Sequence, residues 1–138
     1  MKQATETLTV STRRGLTEIT DDVRRIVRGS GVSQGLCTVY IRHTSASLMI
    51  QENADPAVQR DLEAFLSRLA PDGDPLHTHR AEGEDDMPSH VKAALTRTSE
   101  QVPVQGGEPM LGTWQGIYVW EHRKRAHRRE VIVHVIGS

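Results

Sequence analysis

Apolar and polar positions alternate at the start of the chain, where threonines interleave with Glu6, Leu8 and Val10, and this period of two predicts a strand over Thr5 to Val10. A helical spacing follows. Leu16, Ile19, Val23, Ile26 and Val27 recur at intervals of three and four, with Thr20 as the expected cap and Gly29 and Gly31 as the stop. The apolar run Leu36 to Arg42 predicts a buried strand, after which His43 to Pro56 reads as a polar junction leading into a second helix. Asp55-Pro56 marks that start, because Asp accepts from free N–H groups and Pro has no N–H to leave unpaired. Val58, Leu62, Phe65, Leu66 and Leu69 form one stripe on the helix, which should therefore lie against a sheet until Pro71 and Gly73 end it.

The second half of the chain carries weaker rhythms. Ala70 to Glu84 has no period and reads as a loop long enough to suspect function. A third helix, opened by Asp86 and Pro88, is expected to turn Met87, Val91, Ala94 and Leu95 inward. Strands are expected over Gln101 to Val104, Met110 to His122 and Arg129 to Ile136, with a turn at Gly106-Gly107. In the last strand Val131, Val133 and Val135 face one way and Ile132, His134 and Ile136 the other, so both faces need cover from helices or a neighbouring subunit. The pattern favours one α+β domain over residues 1–138, an antiparallel sheet or sandwich with about three helices.

Composition narrows the partners. With 17 basic and 18 acidic residues the chain has no global field to attract nucleic acid or an anionic membrane, and no apolar run approaches spanning length. The lone Cys37 lies inside an apolar strand and fits a small core residue better than a nucleophile. A reducing cytoplasm is the expected compartment.

Three segments carry candidate chemistry. In His43 to Pro56, an imidazole stands beside Thr44, Ser45 and Ser47, followed by Glu52, Asn53 and Asp55. Hydroxyls and an amide can hold a phosphate, and carboxylates can orient an imidazole or bind a metal, whereas capping explains Asp55 fully. His43 alone also fits a core histidine satisfied by one hydrogen bond. Ser45 lacks the glycines of a nucleophile elbow. In Glu82 to Leu95, Asp86 and His90 are four apart and share a helix face, a spacing that suits a metal or an Asp fixing a His tautomer; an N-cap and a surface residue are the plainer alternatives. His77 and His79 precede them. In Leu111 to Arg123, Trp114 and Gln115 lie between Gly112 and Gly116, where an indole and an amide can stack on and read a heteroaromatic ring, or simply fill a core.

HTSASLMIQENADP, EGEDDMPSHVKAAL and LGTWQGIYVWEHR, in that order, closely resemble the YjbQ family, small proteins associated with a secondary thiamine-phosphate synthase activity. The resemblance runs from the first strand to the last. It implies a homotrimer and a reaction joining a pyrimidine-methyl diphosphate to a thiazole phosphate with loss of pyrophosphate, a step that needs a metal or cationic centre more than a nucleophile. It also favours His79 over His77. On this reading His90, Asp86, His43 and Glu52 are the catalytic candidates. Ser45, Ser47, Asn53, Lys92, Trp114, Gln115 and Glu121 would bind a phosphorylated small molecule. A divalent metal would take His43, His79, His90 and Asp86, histidines favouring zinc and a diphosphate favouring magnesium. The same residues admit two alternatives, a metal-dependent phosphate-ester hydrolase and a non-catalytic metabolite-binding trimer. The three histidines are expected to converge on one pocket.

Overall fold

The computed structural model describes residues 1–138 and contains eight strands and three helices. The strands are β1 (Lys2–Thr12), β2 (Gly15–Glu18), β3 (Gln34–Ile41), β4 (Ala46–Glu52), β5 (Ser99–Gln105), β6 (Glu108–Pro109), β7 (Gln115–Glu121) and β8 (His127–Gly137). The helices are α1 (Thr20–Gly29), α2 (Pro56–Leu69) and α3 (Asp86–Leu95). All strand pairs are antiparallel, in a five-stranded sheet of order β1-β8-β3-β5-β6 and a three-stranded sheet of order β2-β7-β4. The α+β domain with three helices is as the apolar pattern predicts.

The apolar core lies between the two sheets. Val131, Val133 and Val135 of β8 meet Cys37, Val39 and Ile41 of β3, Ala46 and Leu48 of β4, Ile117 and Val119 of β7, and Val23 and Val27 of α1. Each of these side chains is nearly or fully buried, and burying a valine or leucine contributes about 1.5–3 kcal/mol. Cys37 belongs to this core, and burial pushes its thiol up to about 11, as for an inert cysteine. On the outer face of the large sheet, Ile132, His134 and Ile136 are half-buried beside the exposed Tyr40.

Several local expectations change. Leu16 belongs to β2, paired with Trp120, rather than to the first helix. Thr20 does not cap α1: its hydroxyl donates to Glu18 (2.7 Å) and accepts from the Ile117 N–H (2.9 Å), locking the helix start onto β7. On α2 only Leu66 is buried, while Phe65 and Leu69 are more than half exposed, so the stripe does not lie flat on the sheet. Polar anchors hold this helix instead. Gln59 reaches the Tyr118 hydroxyl (3.2 Å), and the Trp120 indole donates to Glu63 (2.6 Å).

Two differences bear directly on the site. His43 to Pro56 is not one strand-to-helix junction, because β4 forms inside it, with Ala46 and Leu48 facing the core and Ser47 the opposite side. A six-residue advance along a strand is about 20 Å. The polar residues before and after β4 therefore stand at opposite ends of the small sheet. The third helix is also turned: Ser89, Lys92 and Ala93 are buried, whereas Ala94 and Leu95 are exposed and Met87 and Val91 are half-buried. The face that α3 presents to the protein is the polar one.

Candidate metal centre

The first turn of α3 gathers three ligand-capable atoms. His79 Nε2, Asp86 Oδ2 and His90 Nε2 all lie within 4.8 Å of one another. Asp86 Oδ2 is 2.6 Å from His79 Nε2 and 3.1 Å from His90 Nε2, and the two rings meet edge to face at 5.4 Å. The helical spacing places Asp86 below His90, and the preceding loop brings in His79. That loop is tied down at several points. Arg14 holds Asp72 through two hydrogen bonds (2.9 and 3.0 Å), Gly73 donates to the Glu84 carbonyl (3.0 Å), and Arg123 donates to the Glu82 carbonyl (2.9 Å).

Hydrogen bonding fixes which atoms face inward. The Thr44 carbonyl can only accept, so the 2.8 Å contact makes His90 Nδ1 the donor and turns Nε2 toward Asp86. A lone pair against a carboxylate oxygen is repulsive unless a proton or a metal cation lies between them. Orientation of a histidine through its other nitrogen by a backbone carbonyl is the usual support for a metal ligand. Asp86 Oδ1 is taken by Arg123 Nη1 (2.7 Å), which leaves Oδ2 to point at the histidines. Burial alone would raise the Asp86 pKa; the hydrogen bond from His79 and the charges of Arg123 and His90 outweigh it, and the carboxyl lies below its ordinary value. Two imidazoles and one carboxylate oxygen fit a first-row transition metal such as zinc better than magnesium.

The other candidates fall elsewhere. His43 shares a shallow depression of about 280 Å³ with Thr44 and His90, but its Nε2 accepts from the Glu130 N–H (2.8 Å). The neutral ring then carries its proton on Nδ1, beside Arg129 Nη1 at 3.4 Å, and burial together with that guanidinium lowers its pKa. Nε2 is thus committed to β8, and His43 pins the end of β3 to that strand rather than joining the three-residue set. His79 lines a different hollow, of about 320 Å³, with His77 and Arg80. The expected convergence of three histidines reduces to His79 and His90 around Asp86.

Ser45 Oγ accepts from Arg129 (3.0 Å), and Glu121, fully buried, accepts from Thr12 (2.6 Å), Arg129 Nε (2.7 Å) and the Arg123 N–H (3.1 Å). These two residues brace the strand ends. Glu52, Asn53, Trp114 and Gln115 form a separate group at the far end of the small sheet, where β4 and β7 pair Glu52 with Gln115. Their polar atoms close turns: Glu52 accepts from the Asp55 N–H (3.2 Å), Asn53 Nδ2 donates to the Gln115 carbonyl (3.4 Å), and Gln115 Oε1 accepts from the Gly112 N–H (2.8 Å). Trp114 is 64% exposed. Gly116 does mark a close approach, since a Cβ there would lie 2.8 Å from Glu18 Oε2 and 3.1 Å from Asn53 Cβ.

Arg123 and Asp85 shape the centre from behind, as an ion pair. Asp85 accepts from Arg123 Nε (2.9 Å) and the Lys124 N–H (2.9 Å), and these bonds, against the upward push of burial, bring its pKa down to about 2. In the sequence the run Glu84-Asp85-Asp86 suits metal coordination by oxygen, but the fold gives Asp85 to Arg123 and Lys124 and leaves Asp86 alone facing the histidines.

Two antiparallel sheets around one core, with a His-Asp-His cluster at the start of α3, define an α+β protein with a candidate metal centre. The model of the UPF0047 YjbQ-like proteins matches residues 5–138, and the chain belongs to that family. A UPF0047 protein of Synechocystis is 51% identical over 99% of this chain and 94% of its own length. The YjbQ protein of Escherichia coli O157:H7 is 41% identical, with 96% of this chain and 97% of the relative covered. Among solved structures, a protein of unknown function from Sulfolobus solfataricus P2 superposes with a TM-score of 0.88 at 26% identity, covering 99% of each chain. An uncharacterized conserved protein from Clostridium acetobutylicum gives 0.82 at 37% identity, over 96% of this chain and 99% of its own. No helix is long and apolar enough to cross a membrane.

Proposed function

We propose that the chain is a divalent-metal enzyme acting on a phosphorylated small molecule, with the metal held by His79, Asp86 and His90. The observation that carries this reading is the meeting of His79 Nε2 and His90 Nε2 on one oxygen of Asp86, with His90 Nδ1 committed to the Thr44 carbonyl. A bound metal would act as a Lewis acid and lower the pKa of a water. His79, His90 and Asp86 would hold it, Arg123 would keep Asp86 monodentate, and the depression beside His43, Thr44 and Ala93 would receive the body of the substrate.

Between the two reactions compatible with such a centre, the geometry favours phosphate-ester hydrolysis. The coupling reaction implied by the family resemblance also asks for a ring-reading pair and a further metal carboxylate. Its candidates, Trp114, Gln115 and Glu52, lie at the far end of the small sheet. Metal analysis of protein purified without chelator should give close to one transition-metal ion per chain. Incubation with phosphate monoesters should release phosphate, whereas formation of thiamine phosphate from the two precursors would restore the synthase reading. Absence of bound metal after reconstitution would remove both and leave a metabolite-binding protein.

We also propose a homotrimer, supported by the half-buried Ile132 and Ile136 and the exposed Tyr40 on the outer face of the large sheet. Sedimentation at micromolar concentration is expected to show a trimer without monomer. A stable monomer would rule it out.

A further inference from the structure

The loop before α3 carries a fixed positive charge that the metal centre does not use. Residues 73–84 form a closed loop whose neck is held by the Gly73 N–H donating to the Glu84 carbonyl (3.0 Å), and both Gly73 and Gly83 take positive φ (73° and 109°) to turn the chain there. Between this loop and Met87 of α3 lies the hollow of about 320 Å³ that His79 lines. A water occupies about 30 Å³ of liquid, so the space admits a phosphate-sized anion together with part of its hydration. Resting on the metal-enzyme reading, we infer that this hollow is an oxyanion subsite in which Arg80 binds the phosphoryl group of the substrate.

Arg80 is held without being neutralised. Its Nε donates to the His77 carbonyl (2.6 Å) and its Nη2 to the Pro75 carbonyl (2.5 Å), both within the loop, and Nη1 makes no hydrogen bond. Backbone carbonyls fix the guanidinium but leave its charge intact. It pairs with neither acid on the wall of the hollow, because each has another partner: Glu84 meets Lys124 Nζ (2.5 Å), and Asp74 accepts from the Leu76 N–H (2.9 Å) and lies 3.8 Å from the His77 ring. An arginine oriented before its ligand arrives loses little freedom on binding, and its planar N–H groups match the oxygens of a phosphoryl group.

The surroundings of the His-Asp-His cluster give the substrate a direction. His79 and Arg80 line the charged hollow together, while His79 Nε2 is 2.6 Å from Asp86 Oδ2, so an anion in the hollow lies beside the candidate centre. The depression of about 280 Å³ on the His90 side has Ala93, Ala94, Thr44 and Thr98 in its wall and no lysine, arginine or carboxylate. A phosphate ester therefore fits across the cluster with its phosphoryl group toward Arg80 and an uncharged organic part toward Ala93. The substrate class this selects is a phosphate monoester of a small, uncharged alcohol.

Calorimetric titration of inorganic phosphate into the zinc-loaded wild type and into zinc-loaded Arg80→Met tests the subsite. Arg80 is exposed, so the substitution leaves the core untouched. Zinc affinity is expected to be unchanged and phosphate affinity to fall about tenfold or more. Phosphate binding that is equally tight in Arg80→Met, or absent from the zinc-loaded wild type, would overturn the proposal. So would a loss of zinc affinity in Arg80→Met that matches the loss of phosphate affinity, since Arg80 would then only brace the loop that carries His79. Failure of the wild type to bind zinc would remove the metal-enzyme reading by itself. The subsite is then decided on metal-free protein, where phosphate binding that needs Arg80 sustains it, and binding without Arg80, or none, refutes it.

Discussion

On the proposed metal-enzyme reading, Asp86→Asn is expected to abolish tight binding of a divalent metal and to lower phosphate-ester turnover by about a hundredfold or more while leaving the fold intact. Asp86 is 5% exposed, and its Oδ2 is the one atom that faces both histidines. An amide has the same shape but lacks the charge that a metal bound by two neutral imidazoles requires. Arg123 is not stranded by the change, because Asp85 still accepts from its Nε (2.9 Å) and the Glu82 carbonyl from its Nη2 (2.9 Å). His90→Ala should lose metal comparably, and chelation of the wild type should reproduce both losses. Equal metal content and equal turnover in wild type and Asp86→Asn would show that this cluster is only a network of hydrogen bonds.

The spacing of Asp86 and His90 was visible in the sequence because helical geometry makes residues four apart neighbours whatever surrounds them. The start of α2 was visible for a similar reason: Asp55 accepts from the Ala57 N–H at 2.9 Å, a local interaction that needs no tertiary partner. Expectations failed where the environment of a face had to be assumed. The spacing of Met87, Val91 and Leu95 predicts an inward stripe only on the premise that the buried face of a helix is apolar. The buried positions of α3 are Asp86, Pro88, Ser89, Lys92 and Ala93 instead. β4 was hidden because serines flank its apolar residues and an acidic, amide-rich segment ends it, a composition that suits a loop equally well. Missing that strand put Ser45 and Glu52 at one junction, when the register separates them by the length of the strand.

Arg129→Met tests the brace behind the site and should be among the most destabilising single substitutions in the chain. The guanidinium, 5% exposed, contacts Glu121 through two nitrogens and also donates to Ser45 Oγ (3.0 Å), while Glu121 is 0% exposed. Removing the arginine leaves a buried carboxylate with only Thr12 and the Arg123 N–H, a defect that costs about 3–5 kcal/mol. Replacing both members by apolar residues should recover much of that loss, since neither charge is then buried alone. The dependence on pH has a definite sign. In the wild type, burial would raise the Glu121 pKa, but the bonds from Arg129, Thr12 and the Arg123 N–H hold it below the ordinary 4.5. Its stabilisation is therefore complete above the unfolded carboxylate pKa and fades as pH falls through the folded one. In Arg129→Met the arginine's contribution is gone and burial should raise the Glu121 pKa, so acidification relieves the buried charge by protonating it. Denaturant midpoints should accordingly lie far apart at neutral pH and draw together toward mildly acidic pH. A gap that is constant across this range, or that widens on acidification, would mean that Glu121 is not the charge Arg129 holds in place.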